Sequence, residues 1–192
     1  MNALREFLRR LSFKLYASEY MRVAYLHPRS VVLVTMRHDG VENVLPLDWH
    51  LPLSFFPKLY GISLESRNYS SELIKKSGSF AVNFMSYEFE PEILTAGRTS
   101  GRSVDKFAAT NLARKEASSI DLPVLSDALG VLECRVVHTL ETGDHTLFVG
   151  KVVHEELFST NHQKRLYHVT DAVKGKEPRD GNLPKGVFTR ET

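Results

Sequence analysis

The chain has 192 residues, of which 42% are hydrophobic and 25% are charged, which is typical of one ordinary globular domain. The formal net charge of +2 and the lack of a long Lys/Arg run argue against nucleic acid as a partner. The single cysteine, Cys134, excludes an internal disulfide and a cysteine-rich metal site, and it is compatible with a reducing, cytoplasmic location.

Residues 1–19 are predicted to form an amphipathic N-terminal helical extension. Basic side chains lie mostly outside its apolar face, which consists of Leu4, Phe7, Leu8, Leu11 and Leu15. Glu6 and Glu19 are unusual for an organelle presequence, and no apolar run reaches the roughly 18 residues of a membrane span. A packing or subunit-contact helix is therefore favoured over a helix on a membrane surface.

Short β-branched and aromatic runs predict a strand-rich domain over residues 20–170. The predicted strands are 30–36, 41–47, 58–64, 79–85, 130–140 and 145–158. His38-Asp39-Gly40 and the Gly143-Asp144 pair are predicted to form tight hairpin turns. These elements indicate consecutive antiparallel strands.

Residues 44–58, "VLPLDWHLPLSFFPK", fit neither a buried strand nor a solvated loop. Prolines at 46, 52 and 57 each remove a backbone donor. Trp49, the chain's single tryptophan, lies between an aspartate and a histidine. We therefore expect a stiff bend that leaves the strand ladder and turns its backbone groups towards a ligand.

The rest of the chain predicts helical insertions between hairpins. Residues 68–78 favour a helix that ends at Gly78 with lysines in its last turn, and residues 87–128 are expected to be helical or irregular. From Asp171 onward the pattern has no period, so residues 171–192 are expected to be a loosely held tail or an arm on a partner subunit. The predicted fold class is mainly β with helical insertions, an antiparallel barrel and not a βαβ sheet.

Familiar catalytic patterns are absent from the sequence. The eight histidines form no metal-ligand pattern with carboxylates, so no metal site is predicted. Cys134 lies within an apolar strand, where a thiol is more often a core residue than a nucleophile. No GxSxG, GxGxxG or Walker motif occurs.

Two donor-rich stretches remain as candidate binding segments. "GRTSGRS" at 97–103 could wrap a phosphate or a flavin edge, although composition alone favours an ordinary surface turn. "LESRNYSSE" at 64–72 opens the predicted helix, where hydroxyls and Arg67 could seat a monophosphate. A plain helix cap with a solvated arginine is the simpler interpretation of that stretch.

Four motifs, in this order and spacing, resemble those of the flavin reductase-like, FMN-binding split-barrel family, especially its flavoredoxin branch. They are Trp-His-x-Pro-x-Ser at 49–54, Ser-Arg-Asn-Tyr at 66–69, Ser-Gly-Arg-x-x-Asp-Lys-Phe at 100–107 and Gly-Asp-His-Thr-x-Phe-x-Gly at 143–150. The resemblance covers roughly residues 20–170. It implies a homodimer of split barrels with non-covalent FMN near the dimer interface.

The resemblance also implies which residues hold the cofactor. Those expected along the isoalloxazine and ribityl chain are Leu47, Asp48, Trp49 and His50. Those expected at the flavin edge and phosphate are Ser63, Leu64, Ser66, Arg67 and Ser70, with Asn83 on a neighbouring strand and Ser100, Gly101, Arg102 and Lys106 in the loop motif. His145 is expected near the flavin or the nicotinamide as the catalytic histidine. His168 receives no role, because the Gly-Gly pair that often follows it in relatives is missing.

Three functions remain open at this point. The first is an oxidoreductase that passes electrons from NADH or NADPH through FMN to free flavin, a ferric chelate or another small acceptor. The second is a flavoredoxin-type electron carrier fed by a redox-protein partner. The third, the least favoured, is a split barrel that acts as a binding or interaction domain without catalysis.

Overall fold

A computed structural model describes residues 29–158, 165–168 and the backbone of 188–190. Within these residues, the α-helices are α1 (Tyr69–Ser77), α2 (Glu90–Arg98) and α3 (Lys106–Thr110), and a 3-10 turn covers Tyr87–Phe89. The strands are β1 (Arg29–Ser30), β2 (Val32–His38), β3 (Val41–Leu47), β4 (His50–Phe55), β5 (Lys58–Glu65), β6 (Ser79–Phe84), β7 (Arg114–Glu116), β8 (Pro123–Leu125), β9 (Gly130–Thr142), β10 (His145–Leu157), β11 (Leu166–His168) and β12 (Phe188–Arg190). The predicted extension over 1–19 lies outside the described residues.

The main sheet has seven antiparallel strands in the order β3-β2-β6-β9-β10-β5-β4. Its two edge strands, β3 and β4, are consecutive in the chain and are joined by Asp48 and Trp49 alone. In a flat sheet the edges would be about 29 Å apart, whereas three steps of backbone span at most about 11 Å. The sheet must therefore curl until its edges meet, and within the described residues no ladder closes the seam.

The prolines of the 44–58 segment lie on these edge strands. Pro46 pairs with Leu33 in the β2–β3 ladder, and Pro52 pairs with Tyr60 just before a register shift in the β4–β5 ladder. The expectation that the whole segment leaves the ladder was therefore wrong for residues 44–47 and 50–55. An edge strand has one side without a neighbouring strand, so a missing N–H is tolerated there. The bend itself is confined to Asp48 and Trp49.

Local signals placed the turns and the first helix correctly. Asp39 and Gly40, with φ of 49° and 74°, form the two-residue β2–β3 turn. Gly143 and Asp144 join the long strands β9 and β10. Helix α1 is capped by Asn68, whose side chain accepts from the backbone N–H of Ser70, and it ends at Gly78.

Two apolar clusters occupy the two faces of the sheet. Along β2, Val32, Val34 and Met36 point to one face and Leu33 to the other, as the strand period of two requires. The first face is the barrel interior, where strands from around the sheet meet α1. The second face packs against α2, α3 and β8. Cys134 lies in the interior cluster, where burial raises the pKa of its thiol to about 12, as expected for a core residue.

Smaller elements complete the described part of the chain. Residues 87–128, predicted as helical or irregular, also contain the β7–β8 hairpin. A second sheet of order β1-β11-β12 includes Phe188–Arg190, so part of the predicted tail is a strand. The other residues of 169–192 lie outside the described part. Among the described helices, none combines the length and the apolar character that crossing a bilayer requires.

Replacement of Gly150 by alanine should destabilise the barrel. An added Cβ would lie 2.6 Å from Cζ of Phe80 and 2.7 Å from Cβ of Cys134, and both of these side chains are fully buried. Overpacking of this kind costs about 1–3 kcal/mol. Urea unfolding should show a lower midpoint for Gly150→Ala, and Lys151→Ala, at the exposed neighbouring position, serves as the control. Equal midpoints for the two variants would contradict the close packing.

Candidate functional site

A cavity of about 470 Å³ lies at the seam where β3 passes into β4. We name it the split cavity; it is lined by Arg29, Ser30, Asp48, Trp49, His50, Leu51 and Ser63. The β3–β4 link supplies its central residues, β1 supplies Arg29 and Ser30, and β5 supplies Ser63. Curling of the sheet thus assembles this cavity from three strands and one connection.

Trp49 forms an aromatic wall that is fixed on several sides. Its carbonyl oxygen accepts from the backbone N–H of Ser63 at 2.9 Å. Its ring stacks on the imidazole of His145, with 4.6 Å between centroids and 20° between planes. The guanidinium carbon of Arg29 lies 5.5 Å from the ring centroid, within cation–π range.

His145 reaches this wall from the β9–β10 turn. The pairing of β10 with β5 sets His145 opposite Glu65. Its Nδ1–H donates to Oδ1 of Asp144 at 2.6 Å, which orients the ring. The structure therefore places His145, the predicted catalytic residue, beside Trp49, which is predicted to contact the flavin ring.

His50 is uncharged and links neighbouring strands through hydrogen bonds. Nε2–H donates to the carbonyl oxygen of Ser30 at 3.0 Å, so Nδ1 is the acceptor and receives the hydroxyl proton of Tyr60 at 2.6 Å. Burial lowers the pKa of His50 and raises that of Tyr60 to about 12. Both groups are therefore uncharged at neutral pH, and they tie β4 to β1 and β5.

Asp48 has a different environment. Its Oδ2 lies 2.6 Å from Nδ1 of His168 on β11. Burial would raise the pKa of Asp48, but the hydrogen bond and charge of His168 and the charge of Arg29 outweigh burial, so its pKa lies below the ordinary value. Asp48 is a carboxylate that accepts a hydrogen bond from His168.

A second cavity, of about 460 Å³, opens at the N-terminus of α1. We name it the polar cavity; it is lined by Asn43, Leu45, Pro46, Arg67, Asn68, Tyr69, Gly97, Thr99, Ser100, Gly101, Arg102 and Lys106. Arg67, Arg102 and Lys106 place three cationic side chains around a helix N-terminus, which itself favours anions. This donor set suits a phosphate.

Arg102 and Lys106 are held by contacts within the protein. Arg102 pairs with Glu72 at 2.5 Å, and its guanidinium carbon lies 4.6 Å from the ring centroid of Tyr69. Lys106 is only 6% exposed, and its Nζ donates to the carbonyl oxygen of Ala96 at 2.8 Å. Burial lowers the pKa of the Lys106 amine to about 8.

Gly101 is required by close approach to Asn43. A Cβ at position 101 would overlap the Asn43 amide, which is buried and donates from Nδ2 to the hydroxyl of Ser70 at 2.8 Å. Ser70 thus supports the wall of the polar cavity from helix α1. Asn43 Oδ1 has no partner within the described residues, so this wall retains an unused acceptor.

The two cavities adjoin along two stretches of chain. Pro46 on β3 lines the polar cavity, and Asp48, just after β3, lines the split cavity. At the end of β5, Ser63 and Arg67 do the same, at most about 14 Å apart along an extended backbone. Ser66 lies between them and shares a hydrogen bond of 2.8 Å with Thr146. The two cavities therefore lie near each other in the fold, the split cavity with an aromatic wall and the polar cavity with cationic side chains.

Nine of the predicted site residues line the two cavities. Ser66, Ser70 and His145 line neither cavity, although Ser70 bonds to Asn43 and His145 stacks on Trp49. Three more of the predicted residues are packed away from both cavities. Leu47 packs against the barrel interior, and Leu64 is 2% exposed within it. Asn83 is fully buried: its amide donates to Leu33 and Thr35 and accepts from Leu125. These three side chains line neither cavity, and their predicted contact with the cofactor remains a prediction.

Sequence reasoning missed several lining residues. Arg29 and Ser30 belong to a two-residue strand that comes to the seam through its pairing with β11, which no local pattern indicates. Asn43 carried no local signal either, because it directly follows Glu42 near the start of a predicted strand, where a polar residue is ordinary.

Lys106 should leave a mark on the pH dependence of stability. The pKa of the Lys106 amine is about 8 in the folded protein, against an ordinary value of 10.5. Between pH 8 and pH 10.5 the unfolded state therefore binds more protons than the folded state. The free energy of unfolding of the wild type should therefore rise relative to Lys106→Met by about 1 kcal/mol per pH unit in this window, and not below it. Urea titrations at a series of pH values measure this, with Lys151→Met as the exposed control. Parallel pH profiles for wild type and Lys106→Met would contradict a buried amine.

Comparison with known proteins places this site in a family. An uncharacterised protein of Archaeoglobus fulgidus is 39% identical over 132 residues, which are 68% of this chain and 73% of that protein. A ferric-chelate reductase (NAD(P)H) of the same organism is 29% identical, over 79% of this chain and 89% of its own length. No metal-binding cluster of histidine, cysteine and carboxylate side chains occurs among the residues that the structure describes.

Solved structures share the fold. An FMN-binding protein from Thermus thermophilus with bound p-hydroxybenzaldehyde has a TM-score of 0.74 at 22% identity, over 88% of this chain and 89% of its own. A flavoredoxin from Methanosarcina acetivorans has a TM-score of 0.69 at 22% identity, over 86% of each chain. The predicted mainly β split-barrel fold is confirmed. The family described as flavin reductase like domain matches residues 24–176, most of the chain, and the protein belongs to that family.

Proposed function

We propose that the protein is an FMN-binding oxidoreductase that passes electrons from NADH or NADPH through non-covalent FMN to free flavin, a ferric chelate or another small acceptor. The observation that carries this proposal is that an aromatic cavity and a cationic cavity lie near the ends of the same two strands, β3 and β5. FMN has this polarity, with a flat ring at one end and a phosphate at the other.

The residues present fit each part of FMN. Arg67, Ser100, Arg102 and Lys106, together with the N-terminus of α1, would hold the phosphate through charge and hydrogen bonds. Trp49 offers an apolar face for the ring. The chain between the cavities, which includes Ser66 and the β3–β4 link, offers backbone groups for the ribityl chain.

FMN, when bound, supplies the ability to accept a hydride and to pass electrons on. The protein then needs to orient the donor, exclude water and keep the ring in place. His145, fixed by Asp144 and stacked on Trp49, lies where a nicotinamide could be positioned against the flavin. No acid–base pair is required for this reaction, which agrees with the absence of catalytic motifs in the sequence.

The names of relatives support the same proposal. One matching protein, at 29% identity, is an NADH-dependent FMN reductase, and another is the ferric-chelate reductase described above. The flavoredoxins among the structural neighbours favour an electron carrier as the second candidate. His145 beside the aromatic wall favours the reductase, because a carrier fed by another redox protein has no need to position a nicotinamide.

A homodimer is part of the proposal. Apolar side chains are exposed along the edge strand β4 beside the split cavity and at its turn, namely Leu51, Leu53, Phe55 and Phe56. Phe55 and Phe56 are 94% and 97% exposed, which is unusual for aromatic residues unless another surface covers them. A second copy of the chain at this edge would cover them and lie next to the site.

The reductase is tested by anaerobic mixing of the FMN-loaded protein with NADH and, separately, with NADPH. The expected result is that the visible absorbance of oxidised FMN is lost within the time of one catalytic turnover. Slow bleaching by both nucleotides, with rapid bleaching by a reduced ferredoxin, would support the carrier instead. A protein that stays colourless after addition of FMN would refute both candidates.

Replacement of His145 by alanine should slow reduction by NAD(P)H more than it weakens FMN binding. The physical reason is that His145 contacts Trp49 from outside the split cavity lining, whereas the phosphate residues carry most of the charge-based affinity. Stopped-flow reduction rates should fall at least tenfold, while the FMN dissociation constant from fluorescence titration changes by less than about threefold. His138→Ala, at an exposed position on β9, is the control. Equal losses of rate and affinity would assign His145 to cofactor holding.

A further inference from the structure

Asp48 lines the split cavity, and His168 contacts its carboxylate from β11 without lining the cavity. The exposed fractions of the two side chains are 18% and 21%, and their atoms approach to 2.6 Å. The two residues lie 120 positions apart in the chain, so the pair exists only after folding. The small sheet carries His168 on β11 and Arg29 on β1, which brings an imidazole and a guanidinium to the same carboxylate.

The bend does not depend on this charge for its shape. The carbonyl oxygen of Trp49 accepts from the N–H of Ser63, and His50 is bonded on both ring nitrogens to Ser30 and Tyr60. These neutral hydrogen bonds hold the link to its neighbours on either side. A neutral residue at position 48 would preserve all of them, so the charge of Asp48 has another consequence.

That consequence is an electric field inside the cavity. A half-buried carboxylate acts through a lower effective dielectric than bulk water provides, so its effect on a neighbouring charge is strong. The hydrogen bond from His168 and the charge of Arg29 act on the same carboxylate and reduce this effect.

We propose that Asp48 and His168 set the reduction potential of the flavin in the split cavity, the carboxylate lowering the potential and the imidazole moderating that effect. This inference rests on the proposed function. A hydride from a reduced nicotinamide carries one proton and two electrons, so the nicotinamide gains one unit of positive charge and the accepting ring one unit of negative charge. A nearby carboxylate repels the added negative charge, and a hydrogen bond donated to that carboxylate weakens this repulsion.

The test measures the potential of FMN-loaded protein by equilibration with reference dyes. In Asp48→Asn, reduced FMN should gain about tenfold in affinity relative to oxidised FMN, which raises the potential by about 30 mV for a two-electron couple. In His168→Phe the carboxylate loses its donor, and the potential should shift the opposite way. In His168→Asn, which keeps an N–H donor, the potential should return towards the wild-type value.

Asp39→Asn is the matched control, because it also removes a carboxylate paired with a histidine. Oδ2 of Asp39 lies 3.2 Å from Nε2 of His38, at the far end of β3 from the cavity. The reduction potential of FMN bound to Asp39→Asn should equal that of FMN bound to the wild type.

The outcomes separate this inference from the function beneath it. The role of Asp48 would be overturned by a wild-type reduction potential in Asp48→Asn, or by an equal shift of the potential in Asp39→Asn. It would also be overturned if Asp48→Asn and His168→Phe shifted the potential in the same direction. Each of these outcomes would leave FMN binding intact. A wild-type protein that binds no FMN would overturn the proposed function and this inference together.

Discussion

The structure depends on a link of two residues between strands at opposite edges of one sheet. Asp48 and Trp49 join β3 to β4, and so short a connection forces seven strands to curl until their edges meet. The same link then lies at the seam, where, within the described residues, β3 and β4 form no ladder with each other. A single geometric constraint therefore produces both the barrel and the cavity, and it places the chain's one tryptophan in the cavity wall.

Three polar side chains on this link and its neighbours behave differently because their surroundings differ. His50 is neutral, since burial disfavours its charge and both ring nitrogens have partners. Asp48 is ionised, since a histidine and an arginine approach it from the small sheet. His145 is held by an exposed aspartate and a stacked ring. The three side chains therefore differ in charge and in the contacts that hold them, although they are close in space.

The polar cavity has a different origin, because it depends on a helix end and a loop and not on the seam. Helix α1 begins at its Asn68 cap, and the loop between α2 and α3 approaches so closely that position 101 admits no side chain beyond glycine. Lys106 is buried with a backbone carbonyl as its acceptor, which keeps an amine beside the cavity at a cost in desolvation. Cationic groups held in this way are already in place for an anion, so little ordering is lost on binding.

The sequence by itself determined the local elements. The Asp39-Gly40 turn, the Asn68 cap, the Gly78 end of α1 and the long β9–β10 hairpin all depend on interactions within a few residues, so their signals survive in a short window of sequence. Motif spacing also indicated the family. The tertiary structure decided the rest: that Pro46 and Pro52 lie on edge strands, that Asn83 is a buried brace, and that Arg29 and His168 flank Asp48. These outcomes depend on which distant segments become neighbours, and that is set by the closing of the sheet and not by any local pattern.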